Sequence, residues 1–173
     1  MSTTKIISPY IDNILAELQH QGSNNDCGPY TTATVINALR GLNLEGGQLS
    51  QQMDRPIWRG PRIIIRRVPN WATFPWGMVD VMQEFGLKAS WRIMVSTNYL
   101  RQTLSQDIIL MPIIGSIYPL WAHVMTLVIW DIHKGWGFAN TQSSHRNIHW
   151  LSDGYFRSHW NAMVNLLVEV KQA

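Results

Sequence analysis

Cys27 is the one thiol in a chain of 173 residues, so it cannot enter an internal disulfide. It lies in the run Gln21-Gly22-Ser23-Asn24-Asn25-Asp26-Cys27-Gly28-Pro29. Asp26 is a good helix N-cap, Pro29 fits a first helical turn, and residues 30–40 read as helix up to a stop at Gly41. A thiol at a helix start meets the positive end of the macrodipole, which lowers its pKa and favours the nucleophilic thiolate. By position alone Cys27 reads equally well as a small buried apolar side chain, the usual fate of a free cysteine.

A cysteine nucleophile needs an imidazole within reach and a third group to orient it. Of the six histidines, His20, His133, His145, His149 and His159 sit in loops, turns or turn-rich polar stretches. His123 alone is set inside an apolar strand, Trp121-Ala122-His123-Val124-Met125. It is either a base or a core histidine with a satisfied hydrogen bond. The strands read over 121–130 and 136–140 are joined by Asp131-Ile132-His133-Lys134-Gly135, a hairpin loop. A turn centred near residues 132–134 puts Asn140 across from residues 124–128, one or two pairs from His123. Neighbours at that spacing reach each other. The amide oxygen of Asn140 can then accept the imidazole N–H and fix its tautomer.

The elements that must hold these groups read as follows. Ser8 and Pro9 open a helix whose Ile11, Ile14, Leu15 and Leu18 share a face. Residues 19–25 are a polar loop. The helix after Cys27 carries Ala33, Val35, Ile36 and Leu39 as its core stripe. Residues 77–85 read as helix, 87–95 as strand and 97–104 as a short helix capped near Thr97 or Asn98. Strands are expected over 108–117, 121–130, 136–140 and 163–170, with a helical turn at 156–160. Helices first and an antiparallel sheet second indicate an α+β domain.

Residues 55–76 differ in character. They hold Arg55, Arg59, Arg62, Arg66 and Arg67 together with Trp58, Trp71 and Trp76, and four prolines. The stretch reads as a long irregular excursion with a short strand at Ile63-Ile64-Ile65. Its tryptophans argue against disorder. Either it packs on its own domain with a solvated basic edge, or it forms a surface for a substrate or partner. In the second case the arginines, with little acid nearby beyond Asp54, attract an anionic group.

Composition bounds the rest. Hydrophobic residues make up 46% of the chain and charged ones only 14%, enough for one domain with a sizeable core. The net charge of +3 is too mild to imply nucleic acid. The longest apolar runs fall far short of a membrane span, and no apolar segment follows Met1-Ser2-Thr3-Thr4-Lys5 to make a secretion signal. A lone unpaired cysteine suits a reducing compartment, so a cytoplasmic location is expected.

Together these motifs resemble a papain-like cysteine peptidase, and more closely the C39 and C39-like branch. The resemblance rests on Gln21 followed by Asp26-Cys27-Gly28-Pro29, on Ala122-His123-Val124-Met125-Thr126-Leu127-Val128-Ile129-Trp130-Asp131, and on Gly137-Phe138-Ala139-Asn140-Thr141. It spans most of residues 21–170 and implies one papain-like α+β domain over residues 1–173. It also implies roles: Cys27 as nucleophile, His123 as base, Asn140 as its orienting partner, and the Gln21 amide with the Cys27 backbone N–H as oxyanion hole. The chain departs from the branch at Asn140-Thr141, where Asp-Pro is usual, at Ala122, where Gly is common, and at Tyr30, where a small residue is frequent. Tyr30, Trp121 and Ala122 are therefore expected to shape the cleft, with Trp76, Arg59 and Arg62 of the excursion along its border.

The function these readings imply is cleavage of a peptide or isopeptide bond through a Cys27 thioester. A papain-like acyltransferase and a non-catalytic binding domain are the alternatives. The expected partner is a peptide or amide substrate bearing an anionic group. Neither a cofactor nor a metal is expected, nor contact with nucleic acid or membrane.

Overall fold

In the computed structural model, which describes residues 4–173, the chain begins not with a helix but with a short strand, β1 (Lys5–Ile7). Met1 to Thr3, part of the stretch inspected for a secretion signal, lie outside the described residues. The first helix, α1 (Ile11–Ala16), starts two residues after Pro9. The Ser8 hydroxyl accepts the backbone N–H of Tyr10, and the Ser8 carbonyl accepts that of Ile11.

The next helix, α2 (Cys27–Arg40), takes in Cys27 and Gly28 as its first residues and places Pro29 in its first turn. It ends at Gly41, whose φ of 63° is the left-handed cap that glycine adopts most readily. The expected core stripe is a subset of what is buried. Thr31, Thr32, Thr34 and Asn37 are enclosed as well, so the helix is covered nearly all round. Its threonines are modest helix formers, and tertiary packing overrides that preference. A further helix, α3 (Gly46–Met53), follows.

The excursion is ordered into two small hairpins, β2 (Ile57–Arg59) with β3 (Arg62–Ile64), and β4 (Arg67–Val68) with β5 (Ala72–Thr73). It runs into α4 (Pro75–Glu84), with Pro75 at the helix start. Then come β6 (Leu87–Arg92), α5 (Thr97–Thr103), β7 (Ile109–Ser116), β8 (Trp121–Val124), β9 (Thr126–Asp131), β10 (Gly135–Ala139), β11 (Ile148–Leu151), α6 (Asp153–Ala162) and β12 (Leu167–Gln172). Ser96, one residue before the expected cap, accepts the Tyr99 N–H at the start of α5.

Eight strands form one antiparallel sheet in the order β11-β10-β9-β7-β12-β6, with β1 added on β9 and β8 on β7. The chain is thus a mixed helix and sheet fold built on a large antiparallel sheet. Helices α1 to α4 cover one face through Ile14, Ile36, Met53 and Met82, which pack with Met111, Val128 and Val168 of the sheet. The other face lies under α5 and α6, where Phe156 and Trp160 meet Trp136 and Phe138. Strand β7 is buried on both faces, which explains its unbroken apolar run.

The arginines of the excursion do not lack acid. Arg59 and Arg66 converge on α4: Arg59 Nε lies 2.9 Å from Asp80 Oδ1, and Arg66 Nη2 lies 2.7 Å from Asp80 Oδ2 and 2.6 Å from Glu84 Oε1. Burial works against the Asp80 carboxylate, but the bonds from Arg59 and Arg66 outweigh it and hold its pKa below the ordinary value. Arg67 is fully enclosed. It pairs with Asp26 at 2.6 Å and Asp54 at 3.3 Å and donates to the Ser50 hydroxyl. The expectation of five arginines free to attract an anion therefore fails for Arg59, Arg66 and Arg67. Asp26, Asp80 and Glu84 come from outside the excursion, where inspection of the local sequence does not find them. The three tryptophans are exposed rather than core-filling.

Because Arg66 is 5% and Asp80 9% exposed, removing one partner strands a charge in a poorly solvated place. Asp80→Asn is expected to lower stability by about 3 kcal/mol. The check is urea unfolding. A midpoint equal to that of the wild type would show that the ion-pair cluster contributes nothing to holding the excursion on α4.

Candidate active site

Helix α2 brings Cys27 to the sheet where β8 gives way to β9. Thr31 Oγ1 donates to the Val124 carbonyl at 3.4 Å, and the backbone N–H of Val124, the residue after His123, faces the Cys27 sulfur. Gly28 allows this approach on the other side. A Cβ there would stand 2.4 Å from Thr73 Cβ of β5, so only glycine lets the second hairpin close on the helix start. Asp26 does not cap the helix with its side chain, because its carboxylate is engaged by Arg67.

The imidazole of His123 is buried, and its Nε2 lies 2.8 Å from Asn140 Oδ1. The same oxygen accepts the Gln142 backbone N–H at 3.0 Å. The amide oxygen is therefore the end that faces the ring, and Nε2 must carry the hydrogen. That leaves the lone pair on Nδ1. The register behind this contact is the expected hairpin. Gly135 pairs with Asp131 and Ala139 with Thr126, with a bulge at Gly137/Phe138. Asn140 thus follows directly on the residue opposite Thr126.

Gln21 is buried beside them. Its backbone N–H donates to the Thr141 carbonyl at 2.8 Å, its Nε2 donates to the Asn24 carbonyl at 2.8 Å, and its Oε1 accepts the Thr141 hydroxyl at 2.5 Å. Cys27, His123 and Gln21 all line one cavity of about 370 Å³. Asn140 stands behind His123, and the next residue but one, Gln142, reaches the cavity wall.

Electrostatically the site differs from the sequence expectation. Cys27 is half-buried by surface, yet dense surroundings push its thiol pKa up. The backbone N–H groups of Val124, Gly28 and Cys27 itself pull it down, but they do not offset burial, and the nearby Asp26 charge raises it further. Burial also pushes the His123 pKa down. The Asn140 bond opposes this and the nearby His149 adds to it. Among the described residues neither Cys27 nor His123 is a hydrogen-bond partner of the other. Both shifts favour the neutral forms of thiol and imidazole, opposite in direction to what the helix dipole alone suggests.

Of the expected cleft residues, Trp121 and Ala122 line the cavity, and Tyr30, Trp76, Arg59 and Arg62 do not. The Tyr30 ring lies against Gly46 on the far side of α2, where a Cβ would approach it to 2.5 Å. Trp76 stacks on Phe74 with ring centres 4.5 Å apart and donates its Nε1–H to the Ile65 carbonyl. Arg59 is held on α4 by Asp80 and Glu84, and Arg62 projects from the tip of the first hairpin. The excursion does border the cavity, but through Trp71, Ala72 and Thr73. Leu120, from the turn before β8, and Met78 complete an apolar lining that sequence inspection missed. No local pattern marks them. Among the described residues no group of three or more His, Cys, Asp or Glu side chains is placed to hold a metal ion, and no helix is long and apolar enough to cross a membrane.

No protein-family model and no curated protein matches the chain. Its fold matches that of a protein assigned as a C39-like peptidase from Bacillus anthracis over 99% of both chains, with a TM-score of 0.73 and 11% identity. It also matches the peptidase domain of Streptococcus ComA, described as a bi-functional ABC transporter involved in a quorum sensing pathway. That match has a TM-score of 0.55 and 16% identity, over 90% of this chain and 98% of the other. The chain has a C39-like peptidase fold. At these identities the likeness is one of fold.

With the thiol pKa raised, the thiolate fraction at neutral pH is small. Iodoacetamide is expected to alkylate Cys27 at pH 7 more slowly than a free thiol peptide, with the rate still climbing as pH passes the ordinary thiol value of about 8.5. A rate that already plateaus below pH 7 would show that a thiolate–imidazolium pair is the resting state.

Proposed function

We propose that the chain is a papain-like cysteine peptidase or amidase, acting as one catalytic unit over residues 1–173, with Cys27 as nucleophile, His123 as base and Asn140 as the residue that orients His123. The observation that carries this reading is the 2.8 Å contact of His123 Nε2 with Asn140 Oδ1, made by a histidine that lines the same cavity as Cys27. That contact leaves Nδ1 without the hydrogen and so able to act as a base. A core histidine needs only a partner; it does not need to share a cavity with the one thiol of the chain.

In the reaction, His123 Nδ1 takes the thiol proton as the sulfur attacks the scissile carbonyl carbon. The negative charge that forms on the carbonyl oxygen is met by the Gln21 Nε2–H and the Cys27 backbone N–H. His123 returns the proton to the leaving amine, and a thioester remains on Cys27. Water, deprotonated by His123, attacks the thioester, and the acid and the free thiol are regenerated. Because burial favours the neutral forms of both groups, His123 acts in this reading as a general base during attack rather than before it. The lowered His123 pKa keeps the ring unprotonated, and so able to accept a proton, to lower pH, at some loss of basicity.

The cavity lining favours an apolar acyl group. Met78, Ile113, Leu120, Trp121 and Val124 face it, and no arginine or lysine does. The anionic substrate expected from the arginine-rich stretch has no cation to meet there. A carboxylate placed against the apolar side chains loses hydration and meets no cation in the cavity.

Cys27→Ala is expected to abolish turnover while leaving the thermal midpoint close to that of the wild type. Among acyl-amide reporters, one with a leucyl group should be cleaved with a kcat/KM about 100-fold above one with a glutamyl group. The acid limb of kcat/KM should fall below about pH 6.5, the ordinary histidine value, because only His123 protonation removes the base. Turnover that survives Cys27→Ala would sink the mechanism. Equal rates on the two reporters would refute the apolar preference alone.

A further inference from the structure

The carboxamide of Gln21 can face the cavity in either of two orientations that differ little in shape but are opposite in chemistry. With nitrogen toward the cavity it donates to an oxyanion; with oxygen there it repels one. One contact decides between them and a second holds the other end of the group. The Asn24 carbonyl, which can only accept, lies 2.8 Å from Gln21 Nε2. The Thr141 hydroxyl lies 2.5 Å from Gln21 Oε1. Thr141 is 1% exposed, so its hydroxyl is shielded from bulk water and gives its hydrogen to that oxygen. A reversed amide would press its oxygen against the Asn24 carbonyl and turn the NH₂ group toward the hydroxyl.

The same threonine grips the Gln21 backbone, whose N–H donates to the Thr141 carbonyl at 2.8 Å. An NH₂ group carries two hydrogens. Asn24 takes one, and the other is left for the cavity, which Gln21 lines. Thr141 also follows Asn140 directly, so the dipeptide Asn140-Thr141 acts on both halves of the site. Asn140 bonds the His123 ring, and Thr141 holds, across 120 positions of sequence, the oxygen end of the Gln21 carboxamide that the Asn24 carbonyl orients.

We propose that Thr141 is a positioning residue: its hydroxyl locks the Gln21 carboxamide with Nε2 as the donor toward the developing oxyanion. This rests on the reading of Gln21 as an oxyanion donor. A merely structural threonine would tie residue 21 to the end of β10 without affecting one kind of reaction at Cys27 more than another.

The test uses two reagents on the same sulfur. p-Nitrophenyl acetate acylates it through a tetrahedral oxyanion. The S–C bond forms, the bond to p-nitrophenolate breaks, and the thiol proton passes to His123. Iodoacetamide alkylates it by displacing iodide, with no oxyanion. Thr141→Val removes the hydroxyl at nearly constant volume. It is expected to slow the p-nitrophenolate burst about 10- to 100-fold, while the iodoacetamide rate stays within about twofold. Thr141→Ser should restore the burst. Gln21→Ala should slow it at least as much, and adding Thr141→Val to Gln21→Ala should cost nothing more. If Thr141→Val loses its circular dichroism signal, Thr141→Ala removes the same hydroxyl without branching. A burst unchanged by loss of the hydroxyl overturns the proposal and leaves the catalytic reading standing. Equal slowing of both reagents assigns Thr141 to scaffold and overturns it too. A wild-type protein that releases no more p-nitrophenolate than Cys27→Ala overturns the catalytic reading, and this proposal with it.

Discussion

Everything in the site depends on how closely the start of α2 can approach two other segments at once. On one side the Cys27 sulfur meets the backbone N–H of Val124, and on the other Gly28 meets Thr73. A single added methyl at residue 28 would have to push β5 away from the helix. That hairpin carries Trp71 and Ala72, so the same contact that seats the helix also sets one wall of the cavity. The opposite wall, Trp121 to Val124, belongs to the strand that bears His123. Cys27, His123 and the cavity walls are thus placed by one packing event.

This packing has an electrostatic consequence. Close burial strips water from both the thiol and the imidazole, and each is driven toward its neutral form. The dipole of α2 acts on Cys27, but the dense surroundings act more strongly. Arg67 pairs with Asp26, the residue before Cys27, and so ties the β4–β5 hairpin to the start of α2. Arg59 and Arg66 do comparable work farther out, fixing the hairpin region to α4 through Asp80 and Glu84. Three of the five arginines of residues 55–76 are thus engaged in holding the excursion to α2 and α4.

The site also shows how few contacts are needed to couple distant parts of a chain. Asn140 and Thr141 leave β10 at the point where its pairing with β9 ends, so their polar groups are free of the ladder. Each then satisfies a buried partner: Asn140 that of His123, Thr141 that of Gln21. Buried polar groups must be paired, and here the pairing itself fixes orientation.

The sequence by itself determined those features that local chemistry decides. Pro29 in a first turn and Gly41 in a left-handed cap bound α2 to within a few residues. The loop at 131–135 set a hairpin register that brought Asn140 beside His123, because two strands and a turn need no other part of the chain. The large antiparallel sheet was legible from alternating and continuous apolar runs, as was the Cys, His, Asn and Gln set that shares the site. The tertiary structure alone decided the rest. Strand β1, helix α3, strand β11 and the β4–β5 hairpin give weak local signals in their own residues, whereas β3 overlaps the short strand expected at Ile63-Ile64-Ile65. The arginines of 55–76 found acids at positions 26, 54, 80 and 84, so their apparent availability was an artefact of looking at neighbours in sequence. Tyr30, Trp76, Arg59 and Arg62 face away from the cavity, while Trp71, Leu120 and Met78 line it. The Cys27 pKa turned upward for the same reason. Desolvation is a property of the whole enclosure around an atom, and the residues that enclose Cys27 come from α2, from the β4–β5 hairpin and from β8.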